Sequence, residues 1–246
     1  MVTKKKFQAI VAEIRAFCSE NGDESVIKKY SRYFTEGYDA YGLTREIYEA
    51  QRDKFVDTYK DSLGLDGFLK LGDILIKSGK YEEASFAISF ITPYKSEFTD
   101  ETFQYLGTWL ENGICNWGHT DVFCGLLLAE FFENNVVKLE ALSTWRNSPS
   151  KWKRRAVPVS MITLLKKSRS FKKMIDFIDP MMMDDQRFVQ QGLGWFLREM
   201  WKKQPEPVET HLLKWKNLAP RKIFQYATEK MSPEEKARFR KDKKNK

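Results

Sequence analysis

An even set of cysteines is missing. Cys18, Cys115 and Cys124 are the only three, so they make no even disulfide framework and a reducing cytosol is the simplest compartment. Histidine is scarcer, with His119 and His211 alone. A structural zinc site wants four ligands, usually in two short-spaced pairs. Cys115, His119 and Cys124 stand close together, but no second pair follows, so no metal is expected and the thiols read as core. No apolar run approaches the ~20 residues needed to cross a bilayer, and no membrane partner is expected. The basic start, Met1 to Lys6, leads into an amphipathic stretch rather than an apolar signal core. P-loop, GxGxxG and GxSxG patterns are absent. No segment alternates apolar and polar residues with period two, so no sheet is predicted.

What is present is aromatic and unevenly charged. Of 246 residues, 42% are hydrophobic and 14% aromatic, enough for a packed core. The net charge of +8 is not spread evenly. Residues 1–110 hold 15 Lys/Arg against 18 Asp/Glu, whereas residues 111–237 hold 21 against 15. Between Trp145 and Lys173 ten Lys/Arg occur without one Asp/Glu. A one-signed field of that kind attracts polyanions such as nucleic acid. The bland reading is a solvated face balanced by acids elsewhere in the fold.

The spacing predicts helix throughout. Phe7, Ile10, Val11, Ile14 and Phe17 recur at three and four residues. Asn21-Gly22-Asp23 ends that helix and offers Asp23 as the next cap, for a helix over Val26 to Phe34. Gly37 to Gly42 reads as a turn, and Thr44 starts a third helix. Further periodic stretches cover about Phe68–Ile76, Tyr81–Ile91 and Phe103–Leu110. A central run follows from Val122 to Phe132, then Val136–Trp145, Trp152–Leu165, Phe171–Ile178, Phe188–Trp201, Val208–Trp215 and Ile223–Met231. Paired helices at a spacing of ~35 to 45 residues suit an all-α, HEAT-like helical-repeat solenoid with a concave, basic face. One domain over 1–237 is expected, with a basic, flexible tail over 238–246.

The central run opens on Asn116-Trp117-Gly118-His119-Thr120-Asp121. Trp117 and Asp121, four apart, share one helix face. Burying an unpaired carboxylate beside an indole is costly, so either Asp121 has a partner or the pair lines a cleft. Three stretches echo this pairing of ring and polar group. Ser150-Lys151-Trp152-Lys153-Arg154-Arg155 places a Trp and an Arg three apart. Gln191-Gly192-Leu193-Gly194-Trp195 sets a Trp among glycines, which cost about 1 kcal/mol each in a helix and signal close approach by a neighbouring backbone or ligand. Ser31-Arg32-Tyr33-Phe34 supplies an aromatic with a polar tip. For seven scattered tryptophans, core packing is the competing reading of each.

Together these residues resemble the AlkD-like family of DNA alkylation repair glycosylases. The resemblance runs from about Ser25 to about Glu229 and rests on Trp117-Gly-His-Thr-Asp121, Trp152-Lys-Arg-Arg155-Ala156 and Gln191-Gly-Leu-Gly-Trp195-Phe-Leu-Arg198-Glu199. Asn217-Leu218-Ala219-Pro220 adds to it. It implies an all-α HEAT-like fold holding duplex DNA. The implied reaction is hydrolysis of the N-glycosidic bond of cationic purines such as 3-methyladenine and 7-methylguanine. By position, Trp117 and Asp121 match the family's catalytic Trp and Asp, and Trp195 its second cleft Trp. Arg155 matches a DNA-contacting Arg, with Lys151, Trp152, Lys153 and Arg154 beside it, and Tyr33 matches an aromatic of an early helix. The implied partner is double-stranded DNA carrying alkylated bases, bound by a monomer without cofactor. The sequence departs from the family pattern at Gly118, where an acid is common, and at Gly42-Leu43-Thr44-Arg45, which lacks the usual Pro. Pro158 falls inside the basic helix.

Such chemistry needs neither metal nor nucleophile. The cationic base leaves neutral, positive charge builds on the sugar, and a carboxylate stabilises it. Two other readings stand beside this one. The first is a relative without glycosylase activity that binds altered or branched DNA by shape. The second is a helical-repeat scaffold for another protein.

Overall fold

A computed structural model of the chain describes residues 3–166 and 170–242. It is all-α, with no strand among the described residues. The chain folds as two compact units, Met1–Leu127 and Leu128–Lys246.

The first unit holds α1 (Lys4–Asn21), α2 (Glu24–Ser31), α3 (Arg45–Ile76), α4 (Tyr81–Phe90), α5 (Asp100–Asn112) and α6 (Trp117–Phe123). Local chemistry accounts for the starts. Asp23 caps α2 and Thr44 caps α3 through their side-chain oxygens, satisfying N–H groups that a helix start leaves unpaired. The helix predicted over Val26 to Phe34 stops sooner, at Ser31. Tyr33 and Phe34 there form tighter i→i+3 turns, which swings both rings off the helix. α3 is one element with a break at Gly64 (φ 56°, ψ −171°), a conformation open essentially to glycine alone. α3 packs on α4 around Phe55, Phe68, Phe86 and Phe90, all fully buried.

The central run is not one regular helix. α6 gives way to a π turn over Cys124–Leu128 and then α7 (Ala129–Glu133). Such widened turns recur at functional sites, and this one begins three residues after Asp121.

The second unit continues with α8 (Lys151–Leu164), α9 (Phe171–Ile178), α10 (Arg187–Trp201), α11 (Pro205–Trp215), α12 (Arg221–Ala227) and α13 (Pro233–Ala237). The helix expected over Val136–Trp145 is replaced by two 3-10 turns, Leu139–Leu142 and Thr144–Asn147. The reason lies at Asn135, whose left-handed φ of 55° ends α7 while Val136 N–H returns to the Phe131 carbonyl. α8 runs on through Pro158. α10 is the hub and packs against both α8 and α12. Of the two glycines expected to signal close approach by a backbone, Gly194 does so and Gly192 meets only side chains at ordinary contact. A Cβ on Gly192 would sit 3.4 Å from Arg155, Pro158 and Val159, and one on Gly194 would sit 2.5 Å from the Ile223 carbonyl and from Tyr226.

The expected tail is corrected as far as it is described. Phe239 is buried, Arg238 pairs with Glu209 and Asp242 is held by Lys216 and Asn217. The remaining basic residues, 243–246, lie outside the described residues, as do 167–169 of the basic stretch.

Candidate active site

Asn116 sets the geometry of the cleft. Its Oδ1 accepts the His119 N–H at 2.8 Å, capping α6, and its amide donates to His119 Nδ1 at 2.8 Å. With Nδ1 accepting, the ring proton sits on Nε2 and reaches Ser85 Oγ at 2.9 Å. The imidazole stacks on Tyr81 at 4.3 Å. Burial pushes His119 down to about 4, so it is a neutral strut rather than an acid or a base. Among the described residues no group of three or more His, Cys, Asp or Glu is arranged to hold a metal.

With α6 pinned at its start, Trp117 and Asp121 lie one turn apart, both half-buried and both lining one cleft of about 820 Å³. The indole is fixed twice. Its Nε1 donates to the Tyr33 carbonyl at 3.0 Å, and its face stacks on Phe34 at 5.6 Å and 18°. Phe34 in turn stacks on Tyr38 at 4.8 Å and 12°. The result is a ladder of three rings, with Tyr33, 51% exposed, standing beside it. Gly118 keeps the ladder close, since a Cβ there would meet Asn116 Oδ1 at 3.3 Å and Phe34 at 3.4 Å.

The ladder sits on a loop anchored from below. Glu82 of α4, only 4% exposed, accepts three consecutive backbone N–H groups: Tyr41 and Gly42 at 2.8 Å and Leu43 at 3.1 Å. Leu43 supplies a donor that a proline at its position would lack. Gly42 adopts φ +86° with a Cβ position 2.3 Å from the Asp23 carbonyl, so only glycine fits. The next residue, Glu83, holds Arg15 through two 3.0 Å bonds and the Tyr41 hydroxyl at 2.9 Å.

The cleft is rich in phenols but poor in phenolate. Burial pushes Tyr48 up to about 12 and raises Tyr38 and Tyr81 as well. Three carboxylates line it: Glu49, Glu82 and Asp121. Glu49 is held by Arg45 at 2.9 Å and Glu82 by the loop. Asp121 is the one set beside Trp117.

Tyr33, Trp117 and Asp121 are therefore brought together within the first unit. The other expected site residues belong to the second. Trp195 is half-buried on α10. Trp152, expected among the residues that bind DNA or lesion beside Arg155, lies instead in the core. It is 7% exposed and packs on Phe188 at 5.1 Å. Arg155 is 5% exposed and donates to the Phe188 carbonyl at 2.6 Å, a poor posture for gripping a phosphate. Arg154 is tied to Asp184 at 2.6 Å and to the Ser148 carbonyl at 2.7 Å. Lys151 and Lys153 lie over the rings of Trp152 and Trp145, each at 5.0 Å. The acid-free stretch is balanced in part from outside itself, by Asp184 on Arg154, Asp176 on Lys172 and Glu140 on Lys173. Sequence reasoning missed Phe34, Tyr38 and Tyr81 as cleft walls, and Glu82 as their anchor. The aromatic density of Tyr30 to Tyr41 is the one signal that points to the walls.

The family model described as DNA alkylation repair enzyme matches residues 14–231. Among solved structures, a predicted DNA alkylation repair enzyme from Enterococcus faecalis is similar in fold. Its TM-score is 0.73 at 14% identity, over 87% of this chain and 98% of that one. AlkD2 from Streptococcus mutans gives 0.57 at 18% identity, over 85% and 99%. The Streptococcus mutans UA159 protein smu.31 gives 0.58 at 19%, over 76% and 95%. At such identities the likeness is one of fold, an all-α helical-repeat architecture. No curated protein matches the chain in sequence.

Proposed function

The chain belongs to the DNA alkylation repair enzyme family, and from that premise we propose that it is a monofunctional DNA glycosylase. Its substrates are cationic N3- and N7-alkylated purines in duplex DNA, 3-methyladenine and 7-methylguanine among them. The observation that carries the proposal is the placement of Asp121 one helical turn from a doubly fixed Trp117, in an aromatic cleft.

Alkylation at N3 or N7 makes the purine a cation and weakens its glycosidic bond. As that bond breaks the electron pair leaves with the base, which departs neutral, and the deoxyribose takes on oxocarbenium character. Asp121 stabilises this charge and orients the attacking water. The indole of Trp117 is electron-rich and favours a cationic sugar and lesion, whereas the Tyr33 ring already carries the Arg32 guanidinium at 4.8 Å. Trp195, half-buried on α10 of the second unit, is the residue that the resemblance matches to a second aromatic. Phosphate contact falls to Lys151 and Lys153, while Arg155 serves to hold α8 against the Phe188 backbone. The reaction asks nothing of His119, whose two ring nitrogens are both engaged.

Base release from duplex DNA carrying 7-methylguanine, read as abasic sites opened by alkali, tests this reading. Release above the spontaneous rate supports it. Salt-sensitive duplex binding with no release would leave a DNA-binding relative instead. Weak, salt-insensitive binding would leave a protein-interaction scaffold.

A further inference from the structure

The second unit carries a separate concavity of about 450 Å³, lined by Arg221, Lys222, Phe224, Gln225, Thr228, Lys236 and Arg240. Four of these seven are cations and none is a carboxylate. Nearby cations of the same unit are neutralised: Arg198 by Glu199 and Glu229, Lys230 by Glu229, Arg238 by Glu209 and Lys216 by Asp242. The cations of the concavity rest instead on neutral groups. Arg221 donates to the carbonyl oxygens of Lys216 at 3.4 Å and Phe239 at 3.0 Å, and its guanidinium lies 4.2 Å over the Phe224 ring. Lys222 reaches Gln225 Oε1 at 2.8 Å and Lys236 the Glu229 carbonyl at 3.2 Å. Arg240 is exposed. Among the described residues, acids thus neutralise one set of cations while the lining of the concavity carries positive charge alone.

From this we infer that the concavity formed by Arg221, Lys222, Lys236 and Arg240 is a phosphate-binding site, and that its ligand is the phosphodiester backbone of DNA away from the lesion. Arg221 provides a planar fork already oriented by two carbonyls and a ring, so little side-chain freedom is lost on binding. Burial draws its guanidinium down from the usual range, and that desolvation is offset when an anion arrives. The two lysines and Arg240 add charge from the rim. This inference rests on the glycosylase reading for the identity of the ligand, but its test reads binding alone.

The test compares wild type with Lys222→Gln/Lys236→Gln/Arg240→Gln on an unmodified duplex, following affinity by fluorescence anisotropy from low to moderate salt. Arg221 is left intact because it also holds the Phe239 backbone. Each phosphate that the protein neutralises adds about 0.9 to the slope of log affinity against log salt, so the triple variant is expected to show a slope shallower by about two to three. A control triple, Lys5→Gln/Lys54→Gln/Lys70→Gln, removes the same charge from exposed positions of the first unit and is expected to keep the slope. An unchanged slope in the first triple, or an equal loss in the control, overturns the inference. Inorganic phosphate supplies the second arm. Tight binding of phosphate that the first triple abolishes, with an unchanged DNA slope, would mean a free-phosphate site and would overturn the assignment to DNA. Failure of the glycosylase reading shows differently, as wild type that releases no base while the slope change persists.

Discussion

The indole nitrogen of Trp117 donates to the backbone carbonyl of Tyr33 at 3.0 Å, across 84 residues of sequence. This bond joins the start of α6 to the segment just past α2 and so ties the two walls of the cleft together. The Phe34 ring completes the hold from the side.

Phe34→Ala removes the ring between Trp117 and Tyr38. Each stacked pair contributes about 0.5–1.5 kcal/mol beyond area burial, and a stability loss of about 2 kcal/mol is expected in a denaturant titration. Base release is expected to slow about tenfold, since small misplacements of a site group are expensive. Phe34→Tyr restores both. Full activity of Phe34→Ala would show that the ladder does not position Trp117.

Glu82→Gln tests the loop anchor. The amide keeps one oxygen acceptor but turns its NH2 toward backbone donors that want an acceptor. About 3 kcal/mol of stability is expected to be lost, in line with charge-assisted hydrogen bonds broken in a buried place. Hydrogen exchange at the amides of Tyr41, Gly42 and Leu43 should rise together. Protection unchanged at those three amides would contradict the anchor.

These two elements show how far sequence reaches. Asp23 and Thr44 are legible as caps because a cap acts on its own neighbours. Trp117 and Asp121 are legible as a pair because helical spacing alone sets them on one face. Gly194 announces a close backbone approach by breaking helix propensity, a signal that Gly192 gives without one. Glu82 is not legible, because its partners lie some 40 residues earlier and nothing local marks it as buried. The burial of Trp152 and Arg155 is hidden for a related reason. Periodicity assigns them to a face of α8 but not that face to α10. Asn135 ends a helix through a left-handed backbone that an asparagine tolerates without requiring, so the apolar run beyond it still reads as helix.

Gly194→Ala and Gly192→Ala separate two grades of helix contact. At Gly194 the new methyl meets backbone, which cannot yield, at 2.5 Å. At Gly192 it meets side chains at 3.4 Å, an ordinary contact. Overpacking of the first kind typically costs about 1–3 kcal/mol, while alanine returns up to about 1 kcal/mol of helix propensity at either site. Gly194→Ala is expected to lower the melting temperature and Gly192→Ala to leave it within a few degrees. Equal tolerance at both sites would contradict the α10–α12 contact.

Stability should fall in mild acid because of the two histidines. Burial holds both His119 and His211 at about 4. For His211 burial outweighs the Asp179 carboxylate 3.5 Å away. The unfolded chain takes up these protons near about 6.5 and the folded chain does not. The stabilisation is therefore complete above about pH 6.5 and declines as pH falls toward about 4, with a slope that approaches about 1.4 kcal/mol per pH unit for each histidine. Urea titrations at neutral and mildly acidic pH measure it, and His119→Gln should remove its share of the slope. Constant stability across about pH 7 to 5 would mean that the imidazoles are not buried neutral.

Asp121 carries the proposed chemistry. The most direct measurement is single-turnover release of 7-methylguanine from duplex DNA by Asp121→Asn beside wild type, with duplex binding followed in parallel. The substitution keeps shape and removes charge. Release is expected to fall by at least about a hundredfold, the scale of losing one electrostatic stabiliser of a transition state, with duplex binding within a few-fold of wild type. Release by Asp121→Asn at close to the wild-type rate would contradict the role assigned to the carboxylate.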